Sequence, residues 1–236
     1  MNSVNIDFYF VKSDYIDFLK QTEINNRGFT CVPNTEYTSR KKFLFGAVFE
    51  YNGINYFVPV SSKIKGGDNN IVMKSGKNNS IVLGTLRFAY MIPVPNKCLI
   101  KLKISDISEE SRRRKIKYEL AFCRKNIYKI KLQAQKTFSA VNDSTNKKIR
   151  RNSCDFLLLQ SAYITYCFEH NIGLEKSLMT DDNLQEKNNN QETSSIPTKP
   201  ICVSRSIIKK NAKIISHTSH KQENQSQHNK DKSKGR

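Results

Sequence analysis

Over its N-terminal half the chain alternates hydrophobic and polar positions in short runs, and later its apolar residues recur at steps of three and four. VNIDFYFVK (4–12) alternates as a strand, and SDYIDFLKQ follows as a helix with Ser13 as N-cap and Tyr15, Phe18 and Leu19 on one face. FLFGAVFEY and INYFVPV flank Asn52-Gly53, whose tolerance of positive φ suits a two-residue type I′ turn, so residues 43–60 are expected to form an antiparallel hairpin. Further strand-like pieces follow at SIVLGTLRF, MIPVP and CLIKLKI. Ile116, Leu120, Cys123, Ile127, Ile130, Ala134 and Phe138 then share one helical face, which predicts a single long helix from about Ser108 to Phe138, capped by Asp106 or Ser108. A second amphipathic helix is expected from about Cys154 to Glu169. Strands first and helices later, without alternating β-α units, predict an α+β fold with helices packed on an antiparallel sheet. From residue 172 the chain is polar, charged and aperiodic, so residues 1–171 are read as the folded domain and 172–236 as a basic, disordered tail.

Charge changes this picture from a fold to a partner. Lys and Arg number 40 against 21 Asp and Glu, a formal +19, in a chain of 236 residues that suits one core. An excess of that size points to a polyanion, nucleic acid before a membrane surface. No run approaches the ~18 apolar residues of a membrane span, and MNSVNIDFYF reads as a strand, not a signal peptide, so a cytosolic protein without membrane attachment is expected. The six cysteines, Cys31, Cys98, Cys123, Cys154, Cys167 and Cys202, form no C-x-x-C pair and read as reduced core thiols. Histidine occurs only at His170, at the end of the last helix, and in the tail at His217, His220 and His228, which argues against a histidine-dependent hydrolase and a histidine metal site. No phosphate loop, dinucleotide fingerprint or nucleophile elbow appears, so no cofactor is expected.

The basic residues are clustered. Arg40, Lys41 and Lys42 precede the hairpin, and Lys63 and Lys65 follow it. Arg112, Arg113, Arg114 and Lys115 open the long helix, while Lys147, Lys148, Arg150 and Arg151 fall in the loop between helices. One such run is ordinarily a solvated face, but four suit phosphate contacts, with Tyr37 as a stacking surface for an unpaired base or a half-buried strand neighbour. In NYFVPVSSKIKGG, Ser61 and Ser62 end a strand among lysines with no histidine or acid beside them. RNA cleavage can run on that inventory because the substrate brings its own nucleophile, the 2′-hydroxyl. The protein need only hold the backbone in line, stabilise charge on the phosphorane and move two protons. Lysines crowded by like charge have lowered pKa values and can carry a proton, while hydroxyls donate to phosphate oxygens. The competing reading of the same residues is a polar loop leaving a strand.

FYFVKSDYIDFLK, FLFGAVFEYNGINYFVPVSS, GTLRFAYMIPVP and CDFLLLQSAY, in that order, resemble the ToxN/AbiQ family of type III toxin-antitoxin endoribonucleases over most of residues 4–169. The resemblance implies a compact twisted antiparallel sheet with packed helices, similar to the Kid and MazF toxins. It implies metal-independent cutting of cellular or phage RNA to a 2′,3′-cyclic phosphate and a 5′-hydroxyl, with a role in abortive infection. Inhibition would come from a repeated, pseudoknotted RNA antitoxin, processed by the toxin and held with it in a closed protein-RNA ring. The family's hydroxyl-Ser-Pro-Lys motif maps its hydroxyls onto Ser61 and Ser62, but Lys63 stands where proline is usual and Ile64 where the catalytic lysine is expected. Lys65 or Lys63 therefore takes that role, a second family lysine best matches Lys42 beside Lys41, and a preceding tyrosine matches Tyr37. The alternative from another class is a non-catalytic RNA-binding module on the same fold.

Overall fold

The structure is a computed structural model that describes residues 6–36, 41–143 and 145–173. Its elements run β1 (Phe8–Val11), α1 (Ser13–Arg27), β2 (Leu44–Tyr51), β3 (Ile54–Ser61), β4 (Asn70–Ser75), β5 (Ile81–Arg87), β6 (Ile92–Pro93), β7 (Leu99–Lys101), α2 (Glu110–Lys125), α3 (Ile127–Asn142), α4 (Lys147–Arg151) and α5 (Phe156–Glu169). The α+β expectation holds. All recorded strand pairs are antiparallel, in the order β4-β5-β3-β2-β1-β7, with β6 beside β3.

The hairpin is as the turn chemistry requires. Tyr51 pairs with Ile54, and Asn52 and Gly53 take φ of 50° and 73°, the two positive angles of a type I′ turn. β3 is the centre of the sheet. Its first half lies between β2 and β6, and its last residues, Val60 and Ser61, pair with Leu86 and Thr85 of β5. Burial along β3 is nearly continuous, which is why INYFVPV reads as an apolar run instead of a clean alternation.

The helices close over this sheet through aromatic side chains. Tyr15 of α1 meets Tyr166 of α5 at 4.8 Å and donates to the Pro93 carbonyl at 2.7 Å. Phe138 of α3 stacks on Phe156 at 5.4 Å and packs edge-on to Tyr56. Buried phenols need such partners, and Tyr56 finds the Phe156 carbonyl at 3.1 Å. Cys98, Cys123, Cys154 and Cys167 are buried free thiols, Cys31 is half-buried, and Cys202 lies outside the described residues. No helix among the described residues is long and apolar enough to cross a membrane.

Four local expectations need correction. The long helix is two helices broken at Asn126, whose φ of −107° leaves the helical range and whose side-chain amide donates to the Phe122 carbonyl at 2.8 Å. The apolar stripe carries on across the break, so periodicity alone hides it. Ser13 is the first helical residue, after Lys12, and Glu109 precedes α2 in place of Asp106 or Ser108; neither end has a side-chain cap. Lys147–Arg151 is not a loop but one helical turn, capped by Asn146 accepting from the Ile149 amide at 3.2 Å. β4 had no expectation attached to it. It is an edge strand paired with β5 alone. The tail from 174 lies outside the described residues.

Candidate active site

The site grows from the end of β3. Ser61 closes the strand with its side chain buried, and its hydroxyl accepts from the Lys63 amide at 3.2 Å, so it turns the chain out of the sheet. Ser62, Lys63, Ile64 and Lys65 then stand exposed. The loop is tied back where the Lys65 amide donates to Thr85 Oγ1 at 3.3 Å, from the residue paired with Ser61. Ser61 is thus a backbone-shaping hydroxyl and Ser62 the accessible one.

The floor beneath this strand end contains a group that the sequence did not reveal. A Cβ on Gly84 would stand 2.8 Å from the Ser61 carbonyl oxygen and 3.2 Å from Glu119 Oε1, so only glycine lets β5 approach both so closely. Glu119 of α2 is buried, and burial pushes its carboxyl from 4.5 up to about 7 against the opposing pull of the Lys115 ammonium 3.9 Å away. Lys115 and Glu119 are spaced as an exposed i,i+4 pair on a very basic helix, which gives no sign of this burial.

The basic residues divide into distinct surroundings. Lys65 lines a cavity of about 360 Å³ with Arg87, Tyr90 and Lys148. Lys42 follows the register to a place opposite Ser61, one residue before Phe43, whose carbonyl accepts from Val60. Lys42, with Lys41, lines a different cavity with the start of α1. Arg113 donates to the Ile107 carbonyl, Arg114 pairs with Glu110 at 2.8 Å, and Arg112 is half-buried beside them. Lys147, Arg150 and Arg151 line a third cavity with Arg27. Tyr37 and Arg40 lie outside the described residues. A larger groove of about 1190 Å³, unread in the sequence, starts at Gly67 and runs between β4 and the helices past Lys74, Lys125, Lys129 and Lys136. Among the described residues no three His, Cys, Asp or Glu side chains gather as a metal-ligand group.

Taken together, these features define an α+β protein whose sheet ends in hydroxyls and lysines between cationic grooves, a surface suited to a polyanionic backbone. Residues 7–164 match the model of the family "Toxin ToxN, type III toxin-antitoxin system", and the chain belongs to that family. It is 29% identical over 168 residues to the endoribonuclease ToxN of Pectobacterium atrosepticum, covering 66% of this chain and 91% of that one. It is 25% identical over 176 residues to the endoribonuclease AbiQ of Lactococcus lactis subsp. lactis, covering 69% of this chain and 90% of the relative. Among solved structures, AbiQ, a lactococcal anti-phage endoribonuclease of a type III toxin-antitoxin system, aligns with a TM-score of 0.60 at 23% identity, over 69% of this chain and 98% of that one. A type III toxin inhibited by a non-coding RNA pseudoknot aligns at 0.58 and 21% identity, over 67% and 96%.

Proposed function

We propose that the protein is an endoribonuclease toxin of a type III toxin-antitoxin system, acting in the cytoplasm and held in check by a repeated RNA antitoxin in a closed protein-RNA assembly. The observation that carries the reading is the end of β3. An exposed hydroxyl, Ser62, stands on a loop fixed by Ser61 and Thr85, with Lys65 facing a cavity that holds two further cations. Family membership and the activity of both curated relatives support the same conclusion.

In this mechanism the ribose 2′-hydroxyl attacks the adjacent phosphorus, the 5′-oxygen leaves, and the products are a 2′,3′-cyclic phosphate and a 5′-hydroxyl. No group from the protein joins the substrate covalently. Ser62 donates to a non-bridging oxygen, while Ser61 keeps the turn that presents it. Lys65 stabilises the phosphorane and moves a proton, Lys63 is the alternative for that step, and Lys42, in the separate cavity at the start of α1, adds positive charge for a neighbouring phosphate. The remaining clusters and the groove between β4 and the helices follow RNA phosphates.

Ser62→Ala tests this directly. Expression of the wild-type chain without antitoxin should stop growth, and purified protein should cut RNA to cyclic-phosphate ends in the presence of a chelator. Ser62→Ala should lose at least about 100-fold in cleavage, the scale of one lost oxyanion donor. RNA affinity should fall with salt at a log-log slope of about −0.7 per phosphate contacted. Ile64, at the family's lysine position, favours a second reading as an RNA-binding module without catalysis. Unimpaired growth and intact RNA with both chains would establish that reading and end the first.

A further inference from the structure

The cavity beside Lys65 is assembled from four segments far apart in sequence: the loop after β3, the Asn69-Asn70 corner, the Arg87–Tyr90 bend and the α4 end at Lys148, Asn152 and Ser153. Backbone bonds fix this assembly. The Cys154 amide donates to the Ala89 carbonyl at 2.9 Å, and Arg27 of α1 donates to the Ser153 and Arg150 carbonyls at 3.0 and 2.9 Å. Asn70 pairs with Arg87 across β4 and β5. These bonds hold the four segments together around the cavity.

None of the lining residues is acidic, and three are cationic. The Arg87 guanidinium carbon lies 4.3 Å from the centre of the Tyr90 ring, and its Nη2 donates to the Tyr90 hydroxyl at 3.1 Å. That pairing leaves Arg87 Nε buried with no acceptor. The hydroxyl of Ser153, a residue only 1% exposed, is likewise buried with no partner. Buried donors in folded proteins are nearly always satisfied, and an orphan carries its full desolvation cost. Both orphans belong to residues that line one cation-lined cavity, and both are shielded from its open space in the free protein, so an acceptor reaches them through a turn of the Arg87 and Ser153 side chains. A stacked guanidinium and phenol also offer a base a flat partner. The volume falls at the low end of the ~300–1,000 Å³ typical of small-ligand pockets, which suits one nucleotide and excludes a duplex.

We propose that this cavity is a nucleotide subsite next to the cleavage position, in which a base stacks on the Arg87–Tyr90 pair and its phosphate accepts from Arg87 Nε, the Ser153 hydroxyl, Lys65 and Lys148. This rests on the reading that the protein binds RNA, and goes beyond it by naming where one nucleotide beside the scissile bond is held.

The test is binding of a short fluorescein-labelled single-stranded RNA to the full-length chain carrying Ser62→Ala, measured by anisotropy, so that cleavage does not enter. On that background Arg87→Gln should weaken binding about 10-fold or more, since a lost stack and a charge-assisted bond each contribute on that scale. Ser153→Ala should weaken it about 3-fold while the melting temperature stays level or rises, because the hydroxyl it removes satisfies nothing in the free protein. The remote Lys97→Gln control should change affinity less than about 2-fold. The subsite is overturned if Arg87→Gln costs no more than Lys97→Gln, if Ser153→Ala leaves affinity unchanged, or if no RNA binds. Cleavage by the unmutated chain is scored separately. A protein that binds through this cavity but never cuts keeps the subsite and loses the nuclease, and one that cuts with an indifferent cavity does the reverse.

Discussion

Two glutamates are buried in this molecule under opposite conditions. Glu23 of α1 receives five donors: Arg27 at 2.6 Å, the Thr30 hydroxyl at 2.9 Å, and the amides of Cys31, Val32 and Asp155 at 2.6, 3.2 and 2.7 Å. Glu119, under the end of β3, has the Lys115 ammonium at 3.9 Å, and burial pushes its carboxyl up to about 7. A carboxylate surrounded by donors holds chain segments together, here α1, the following loop and the start of α5. A carboxyl buried without them is held toward its neutral form and titrates where cells live. The first arrangement belongs to the scaffold, and the second lies beside the residues proposed to meet RNA.

The comparison is broken most severely at Glu23. Glu23→Ala removes the ion-pair partner of Arg27, which keeps the Ser153 and Arg150 carbonyls, and strands the Cys31 and Asp155 amides, so it should destabilise by about 4 kcal/mol, within the range for a broken buried ion pair. Denaturant unfolding followed by circular dichroism would report it. A loss below about 1 kcal/mol would mean that water replaces the carboxylate and that Glu23 is no staple.

Glu119 gives the next effect, through pH. Its folded pKa of about 7 lies above the ordinary 4.5, so between those values the folded chain keeps a proton that the unfolded chain has released. Stability from this group therefore falls as pH rises through that window, by about 3 kcal/mol in all, and is level above it. In Glu119→Gln that decline should vanish, leaving the variant more stable than the wild type at neutral pH. Unfolding free energies measured across the window in both proteins decide it, and parallel curves would show that Glu119 titrates normally.

How much of this was legible in the sequence follows the range of the forces involved. The hairpin was legible because Asn52-Gly53 fixes its own turn, and the strand end at Ser61-Ser62 because the apolar run stops there. The break at Asn126 was not, since the apolar stripe continues through it and the amide that ends α2 is a local choice. β4 was hidden because NIVMKS is a short edge strand paired with β5 alone. Glu119 could not be picked out, because its burial is decided by Gly84 and Ser61, which no local pattern links to it. The same holds for the cavity: Arg87 and Ser153 gave no signal alone, and only the fold makes them neighbours.

The smallest effect sharpens the comparison at the loop itself. Thr85 lies fully buried in β5, and its hydroxyl accepts from the Lys65 amide, a one-bond version of what Glu23 does with five. Thr85→Val keeps the shape and the β-branched side chain and removes that acceptor. The Lys65 amide sits on an exposed loop where water can replace the lost bond, so the stability cost should be about 1 kcal/mol or less. Loop position matters more to chemistry than to folding, because a displacement of about 1 Å in a positioned group can cost on the order of 100-fold in rate. Cleavage by Thr85→Val should therefore fall well beyond what its small stability change explains, with RNA affinity reduced far less. Equal and minor losses in stability, affinity and rate would show that the tether to Thr85 does not position Lys65.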